Sequence, residues 1–318
     1  MSGAHTTMET VRASRTRRIL RTSGKVLVGL LVLIVVVLAI GSVYQLIAGN
    51  VPNGRYAPTG RLVDIGGRSL HINCTGMGTP TVVLEAGLGL GAVTWMHVQP
   101  TLSETTRVCS YDRAGYGWSD SGPTPRDAAR VTDDLRHLLD IAGVPRPIVL
   151  AGHSLGGLFA RHYAAIYPAD VAGIVLVDST HEDQDKPPAA IRALVTVLGR
   201  AGTSRVLFRF DDPGQNAMYK SNRSLGATID EFAAVEASSN QTREAHLSLG
   251  NKPLIVLTSG ANDADPMWHQ LQKELASRSP TGKHIVATGS GHYIQDDRPA
   301  LVIDAIREVV SATRNTKS

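Results

Sequence analysis

Residues 147–159 read as a buried strand, a sharp turn and the start of a helix. An apolar, β-branched run enters the turn, and apolar residues at helical spacing leave it and end at Pro168. Gly152 and Gly156 flank Ser154, at positions where a Cβ would collide with the neighbouring strand or helix. This order predicts a strained turn with the hydroxyl of Ser154 projecting from the edge of a sheet.

Strands and helices alternate over most of the sequence, which predicts a mostly parallel sheet covered on both faces. We expect an α/β fold: an eight-stranded, mostly parallel sheet with helices on both faces, a helical lid insertion and an N-terminal transmembrane helix. The predicted strands are residues 61–65, 69–74, 81–85, 107–111, 147–151, 173–177, 252–258 and 284–288. Outside the insertion, the predicted helices are residues 93–102, 127–142, 266–277 and 300–312, together with the helix that follows Ser154.

The alternation divides the folded part into residues 61–178 and 251–318, separated by residues 179–250. This middle stretch, called the insertion below, holds amphipathic helical patterns near residues 189–198 and 229–246. It is too long for an ordinary loop and too small for a second core. We therefore predict a helical lid over the functional site, with a surface insertion without function as the alternative.

Residues 26–48 carry no charge, and residues 26–40 are almost entirely Val, Leu and Ile. At about 1.5 Å per residue this stretch can cross a hydrocarbon layer of about 30 Å. The alternative, a cleaved signal peptide, is less consistent with an apolar region longer than the usual 7 to 15 residues or so. We predict a transmembrane anchor, followed by a linker at residues 49–60 that is rich in Gly, Pro and Asn.

The positive charge is concentrated before the anchor. Residues 1–25 hold six basic side chains and one Glu, a net charge of +5, whereas the whole chain carries +4. Because positive charge stays on the cytoplasmic side, we expect a single-pass protein of the cell membrane with a cytoplasmic tail and the folded domain outside. The rest of the chain has no basic excess, so nucleic acid is not an expected partner.

A serine hydroxyl is a weak nucleophile until an imidazole takes its proton, and a carboxylate must hold that imidazole in one tautomer. Of the eleven histidines, His292 alone lies in a Gly-rich loop after the last predicted strand, at the sheet edge that Ser154 should occupy. His153 is expected to point away, because alternate side chains of the turn diverge. We predict Ser154 as nucleophile and His292 as general base.

Four motifs occur in a fixed order: YDRAGYGWS at residues 111–119, GHSLGG at 152–157, GAND at 260–263 and GSGH at 289–292. Together they resemble the α/β-hydrolase family, in its branch of esterases, lipases and proline iminopeptidases. The resemblance covers residues 61–312 apart from the insertion. It implies a serine hydrolase that needs no metal or organic cofactor.

The resemblance also implies an oxyanion hole. Its donors would be the backbone N–H groups of Leu155, which follows the nucleophile, and Leu88, in the loop after the third strand. Ala86 stands in this loop where most relatives carry a His that orders it. We expect Asp112 and Arg113 to order the turn after the fourth strand and to have no catalytic role.

Three carboxylates compete for the role of catalytic acid. Asp263 is the first choice, because it lies three residues after Gly260 at the end of the seventh strand. Asp178, at the end of the sixth strand, is the alternative, since members of this fold use both positions. Asp265 is followed directly by Pro266 and is expected to cap a helix.

Cys74 and Cys109 lie on the second and fourth strands, which are neighbours in a sheet of this fold. Outside the cytoplasm such a pair can form a disulfide, with two buried free thiols as the alternative. Two isolated thiols do not predict a zinc site.

The expected function is a membrane-anchored serine hydrolase that cleaves a carboxylic ester with an apolar group through an acyl-enzyme. An aminopeptidase for N-terminal proline and a non-catalytic ligand-binding protein are the alternatives, although an intact Ser, His and Asp argues against the second. Epoxide or haloalkane hydrolysis would require a carboxylate in place of Ser154. The apolar preference is inferred from Ile191, Leu194, Val195, Val197, Leu198 and Phe208. The acids that could bind a substrate α-amino group are Glu182, Asp183, Asp185, Asp211 and Asp212.

Overall fold

The four middle strands of the sheet are buried along almost their whole length, as expected for parallel strands covered on both faces. The structure, a computed structural model, describes residues 3–50, 57–202, 217–262 and 265–315. Its sheet has eight strands in the order β1-β2-β4-β3-β5-β6-β7-β8. They are β1 Arg61–Asp64, β2 Ser69–Thr75, β3 Val82–Glu85, β4 Val108–Tyr111, β5 Ile148–His153, β6 Val171–Val177, β7 Leu254–Ser259 and β8 Lys283–Ala287.

Strands β1 and β2 form an antiparallel hairpin, β2 pairs antiparallel with β4, and all other pairs are parallel. The predicted eight-stranded, mostly parallel sheet is therefore confirmed. Because the parallel strands run in one direction, the residues that follow β5, β6, β7 and β8 lie along the same sheet edge.

Helices cover both faces of the sheet. One hydrophobic core lies under α3, α4 and α8, and a second lies under α2, α9 and α10. The described helices are α1 Gly3–Ala48, α2 Gln99–Leu102, α3 Ala128–Ile141, α4 Leu155–Ile166, α5 Ala189–Arg200, α6 Asn222–Ala233, α7 Val235–Glu244, α8 Pro266–Ser277, α9 Ile294–Asp297 and α10 Pro299–Asn315.

Two helix predictions differ from the structure. The single helix expected over residues 93–102 is a 3-10 turn, Ala92–Trp95, followed by the short α2, because Pro100 can begin a helical turn but cannot continue one. The single helix expected near residues 229–246 is two helices, α6 and α7, which meet at Ala234.

Helix α1 includes the predicted anchor in one continuous helix. Its segment Ser23–Ala48 is long and apolar enough to cross a membrane, and none of its most apolar window is buried within the protein. Residues 51–56 of the predicted linker lie outside the described residues. The assignments of residues 1–25 as cytoplasmic tail, 26–48 as anchor and 49–60 as linker stay predictions.

Cys74 and Cys109 occupy directly opposed positions on the antiparallel strands β2 and β4. The structure joins them in a disulfide with a Cα–Cα distance of 4.0 Å. The predicted pairing is thus confirmed, and the edge hairpin is covalently linked to the parallel part of the sheet.

Candidate active site

Ser154 connects β5 to α4 through a backbone conformation that is rare for a side-chain-bearing residue. Its φ is 53° and its ψ is −125°. The turn is this tight because the flanking glycines let backbones meet: a Cβ on Gly152 would lie 2.7 Å from the carbonyl oxygen of Gly156, and one on Gly156 would clash with the carbonyl oxygen of Ala86. Ser154 therefore lies at the tip of a strained strand-to-helix turn, as its sequence predicts.

Asp178 and His292 meet at the same sheet edge. Asp178 follows β6 directly, and its Oδ2 accepts a hydrogen bond from Nδ1 of His292 at 2.6 Å. The backbone of Ser154 reaches this pair from β5: its N–H donates to the carbonyl of Val177 at 3.0 Å, and its carbonyl accepts from the N–H of Thr180 at 3.0 Å. The structure thus brings the predicted nucleophile, the predicted base and one of the candidate acids into one small region.

The carboxylate of Asp178 is buried and held by three donors. Oδ1 accepts from the N–H of Ser259 at 2.9 Å and from Nε1 of Trp268 at 3.1 Å, which leaves Oδ2 for His292. Its φ of 42° is unusual for an aspartate. A buried charge supported by several donors keeps a fixed orientation, and so fixes the imidazole ring that it contacts.

The first-choice acid, Asp263, lies outside the described residues. Asp265 accepts a hydrogen bond from the N–H of Trp268 at 3.1 Å at the start of α8, so the predicted helix cap is confirmed. Of the three candidates, Asp178 is the one whose contact with His292 the structure describes.

His153 does not point away from the site, contrary to the expectation from sequence. Its ring lies 4.7 Å from the ring of His292, and its Nε2–H donates to the carbonyl of His292 at 3.0 Å. Burial and the neighbouring His292 lower the pKa of His153 to about 3, so its ring stays neutral. Because the side chain of His153 is packed against the loop of His292, this residue positions the predicted base.

The loop at residues 85–89 packs against Ser154. A Cβ on Gly87 would lie 2.8 Å from Nδ1 of His153 and 3.2 Å from Cβ of Ser154, so glycine allows this close approach. Arg113 stabilises this loop, because its guanidinium donates to the carbonyls of Ala86 at 2.5 Å and Gly87 at 2.9 Å. Arg113 therefore orders the loop in which the resemblance led us to expect a histidine at the position of Ala86.

Arg113 is itself buried between two carboxylates. It donates to Glu85 from β3 at 2.7 Å and to both carboxylate oxygens of Glu231 from α6 at 2.8 Å. Tyr116 also donates to Glu231, at 3.0 Å. Burial lowers the pKa of Arg113, but Glu231 and Glu85 outweigh burial and raise that pKa, so Arg113 stays charged.

Sequence reasoning missed Glu231. It lies 118 residues after Arg113, and no local pattern distinguishes it from an exposed glutamate of an amphipathic helix. Sequence predicts that Arg113 orders the turn after β4, but in that turn only its backbone carbonyl accepts a hydrogen bond, from the N–H of Tyr116 at 2.9 Å. Its side chain instead joins the loop beside Ser154 to the insertion.

Two of the acids that could bind a substrate α-amino group already have cationic partners. Glu182 pairs with Arg161 and with Arg278, the latter at 2.6 Å, and Asp183 pairs with Arg243 at 2.7 Å. Burial acts to raise the pKa of Glu182, but the two arginines outweigh it and lower that pKa to about 2. Asp185 is exposed, and Asp211 and Asp212 lie outside the described residues.

The apolar residues expected to line a pocket lie elsewhere. Ile191, Leu194, Val195 and Val197 are each about half exposed on the outer side of α5. Phe208 lies outside the described residues. Apolar side chains do adjoin the nucleophile: Leu88 and Val235 pack against a buried cluster of Leu155, Leu158, Phe159, Ala128 and Val131.

Among the described residues, no group of three His, Cys, Asp or Glu side chains is placed to hold a metal ion. The sequence profile of the alpha/beta hydrolase family matches residues 82–305, more than two thirds of the chain. The chain belongs to this family. The family that the four sequence motifs indicated is therefore confirmed, and Ser154 and His292 lie within the matched residues.

Known proteins show how far this relationship extends. The chain is 29% identical over 233 residues to the uncharacterized protein YqjL of Bacillus subtilis, covering 72% of this chain and 83% of YqjL. It is 32% identical over 141 residues to the human (lyso)-N-acylphosphatidylethanolamine lipase, covering 41% of each chain, so it spans less than half of that enzyme. A thermophilic esterase from Thermogutta terrifontis has the same fold, with a TM-score of 0.63, 22% identity and coverage of 81% of this chain and 99% of the esterase.

Proposed function

We propose that this α/β hydrolase is a serine esterase that cleaves a carboxylic ester with an apolar group through an acyl-enzyme. The observation that carries the proposal is the hydrogen bond between His292 and the buried Asp178 beside the strained turn of Ser154. A carboxylate on Nδ1 fixes the tautomer in which Nε2 can take a proton. The side chain of His292 is 44% exposed, so its other edge is accessible to a reacting group.

In the proposed reaction, Oγ of Ser154 attacks the ester carbonyl while Nε2 of His292 takes the hydroxyl proton. The tetrahedral intermediate collapses, and His292 returns the proton to the departing alcohol. A water molecule then gives a proton to His292 and attacks the acyl group, which releases the carboxylic acid and restores Ser154. The carboxylate of Asp178 stabilises the imidazolium in both halves of the cycle. In this assignment Asp178 replaces Asp263, the acid favoured from sequence.

The oxyanion would be stabilised by the backbone N–H groups of Leu155 and Leu88. Leu155 begins α4, where backbone N–H groups have no partner within the helix. Leu88 belongs to the loop that Arg113 holds beside Ser154. Donors fixed before the reaction cost no reorganisation as charge develops, which is the main advantage of such a site.

An ester is favoured over an N-terminal proline substrate. An aminopeptidase needs free carboxylates to bind the α-amino group, whereas Glu182 and Asp183 are held by arginines. The cluster of Leu88, Leu155 and Phe159 beside the nucleophile favours an apolar acyl or alcohol group. The similarity to a human lipase and to a bacterial esterase fold is consistent with this choice.

A fluorophosphonate probe tests the nucleophile. It should label the wild-type protein once, and Ser154→Ala should abolish labelling while the far-UV circular dichroism is unchanged. The wild type should hydrolyse p-nitrophenyl esters and leave a prolyl anilide intact. Labelling that survives in Ser154→Ala, or hydrolysis of the anilide alone, would show that the proposal is wrong.

We further propose that residues 26–48 anchor the protein in the cell membrane, with residues 1–25 in the cytoplasm and the catalytic domain outside. The apolar helix supports the anchor, and the six basic residues that precede it support the orientation. The insertion is proposed to act as a lid, because α6 and α7 contribute Glu231 and Val235 to the surroundings of the site.

A further inference from the structure

Helix α5 has its apolar side facing outward. Ile191, Leu194 and Val195 are between 47% and 52% exposed, and Val197 is 50% exposed. The less exposed side carries Arg192, which pairs with Glu236 of α7 at 3.3 Å, and Gly199, which lies against Leu225 of α6. A helix on a protein in water normally has the opposite arrangement. This orientation is that of a helix whose outer side contacts an apolar medium.

The second observation is the contact between the insertion and the end of the anchor. Nε2 of Gln45, which is buried, donates to Oδ1 of Asn222 at 3.1 Å, and Nδ2 of Asn222 donates to the carbonyl of Leu46 at 2.9 Å. The N–H of Asn222 also donates to the carbonyl of Gly49 at 2.9 Å. The start of α6 is therefore fixed to the last turn of α1 by hydrogen bonds from both backbone and side chain.

Helix α5 reaches deeper along the anchor than α6 does. Ala201 directly follows the last turn of α5. Its carbonyl oxygen lies so close to Gly41 of α1 that a Cβ on Gly41 would clash with that oxygen. Gly41 precedes the end of α1 at Ala48 by seven residues, or about 10 Å along a helix. Helices that lie in the membrane interface bury their apolar side by about 5 to 10 Å. With α1 across a bilayer, the end of α5 is at this depth.

Helix α5 is connected to the surroundings of the site through α7. Glu236, its partner on α7, directly follows Val235, which packs with Leu88 in the apolar cluster beside Ser154. The chain passes from Asp178 to the start of α5 within about ten residues. These contacts connect α5, through α7, to the apolar cluster beside Ser154.

We propose that the apolar side of α5 inserts into the outer leaflet beside the anchor, and that the ester substrate is an acyl lipid taken from that leaflet. The part that concerns the substrate rests on the proposed esterase function, whereas the membrane contact of α5 does not. Hydrolysis of such an ester consumes one water molecule and would release a fatty acid together with the alcohol part of the lipid.

Depth measurements on the full chain in phosphatidylcholine vesicles test the membrane contact. Both native cysteines are in a disulfide, so Leu194→Cys can be labelled alone with an environment-sensitive fluorophore. Lipids brominated on the acyl chains should quench this label, and aqueous iodide should not. Ile141→Cys is the matched control, because Ile141 is similarly exposed, at 56%, on α3 of the catalytic domain, and its label should show the reverse pattern.

Quenching of the Leu194→Cys label by iodide but not by bromolipid would overturn the membrane contact. A label shielded from both quenchers, together with a dimeric mass in detergent, would overturn it in favour of a second copy of the chain.

Activity separates the substrate proposal from the esterase proposal. Ile191→Glu should lower hydrolysis of a long-chain ester embedded in vesicles by about tenfold or more, since a charge at that depth opposes insertion. Hydrolysis of soluble p-nitrophenyl acetate should be unchanged, and Ile141→Glu should leave both rates unchanged. Equal hydrolysis of the embedded ester by wild type and Ile191→Glu would overturn the substrate proposal alone. Absence of hydrolysis of either ester by the wild type would instead contradict the esterase function.

Discussion

Arg113 donates one hydrogen bond to each carboxylate oxygen of Glu231, both at 2.8 Å, and both side chains are buried. The same guanidinium holds the carbonyls of Ala86 and Gly87, in the loop beside Ser154. A helix of the insertion and a loop of the core therefore share one cation. The position of the insertion and the geometry of the proposed oxyanion hole are linked through this contact.

Glu231→Gln keeps the shape of the side chain but removes the charge that holds Arg113. We expect kcat to fall by about tenfold to a hundredfold with KM little changed, because one oxyanion donor is displaced. The free energy of unfolding should fall by about 3 kcal/mol, as when one partner of a buried ion pair is removed. Glu236→Gln is the control: Glu236 is 62% exposed in the same region, and its change should leave kcat and stability near wild type. An equal fold-loss of kcat in the two variants would contradict the proposed link between Glu231 and the oxyanion hole.

Asp178→Asn should lower kcat by about 10⁴ without loss of fold, because the amide leaves His292 in the wrong tautomer. Asp263→Asn should retain a near-normal kcat. Steady-state hydrolysis of a p-nitrophenyl ester measures both. A large loss of kcat in Asp263→Asn with a small loss in Asp178→Asn would instead identify Asp263 as the catalytic acid.

His71 forms a buried pair with Asp112 at 2.8 Å, and its other ring nitrogen contacts the carbonyl of Thr59 at 2.5 Å. Burial lowers the pKa of His71, but Asp112 outweighs burial and raises that pKa above 6.5. Its stabilising contribution is therefore complete below pH 6.5 and is lost as the pH rises through the folded-state pKa. His71→Gln should cost about 3 kcal/mol near pH 6 and less near pH 9. Urea unfolding across this range gives the test, and a cost that does not vary with pH would contradict the charged pair.

The pKa of Asp112 is shifted in the opposite direction. Burial acts to raise it, but His71 and the hydroxyl of Tyr219, which donates at 2.6 Å, lower it below 3.8. The contribution of Asp112 is thus present above pH 3.8 and is lost as the pH falls through its folded-state pKa. The pair is most stabilising between these two limits.

Replacement of both Cys74 and Cys109 by serine should lower the free energy of unfolding by about 4 kcal/mol, since the disulfide closes a loop with a sequence separation of 35. Urea unfolding of the double variant against the wild type measures this loss. Mass spectrometry of the non-reduced wild type should show the two cysteines linked. Free thiols at both positions would contradict the bridge.

The proposed orientation predicts a protease pattern. Protease added outside intact cells or spheroplasts should digest the catalytic domain and leave an N-terminal epitope tag protected, because the six basic residues before the anchor stay inside. Digestion of the tag in intact spheroplasts, with the domain protected, would reverse the orientation.

The sheet could be predicted because its strands are short, apolar and bounded by turn residues. The strained turn at Ser154 could be predicted because Gly152 and Gly156 flank it. The acid could not be decided, because β6 and β7 are neighbours and a carboxylate at the end of either is near the loop of His292. The position of Glu231 depends on how the insertion packs, which no local pattern encodes. The sequence of α5 shows an apolar side, but only the exposure of Ile191, Leu194 and Val195 in the folded protein shows which way that side faces.

The disulfide between β2 and β4 has a mechanical consequence. Residues 26–48 are proposed to anchor the chain, and the first strand after them is β1, whose described strand partner is β2. Tension transmitted along the chain from the proposed anchor would therefore reach this hairpin before the other strands. A hairpin held by hydrogen bonds alone unzips one bond at a time when pulled from its end. Here the disulfide bond links β2 to β4 covalently. A force that separates β1 from β2 is therefore resisted by this bond before it acts on β5 and β6, the strands that precede Ser154 and Asp178.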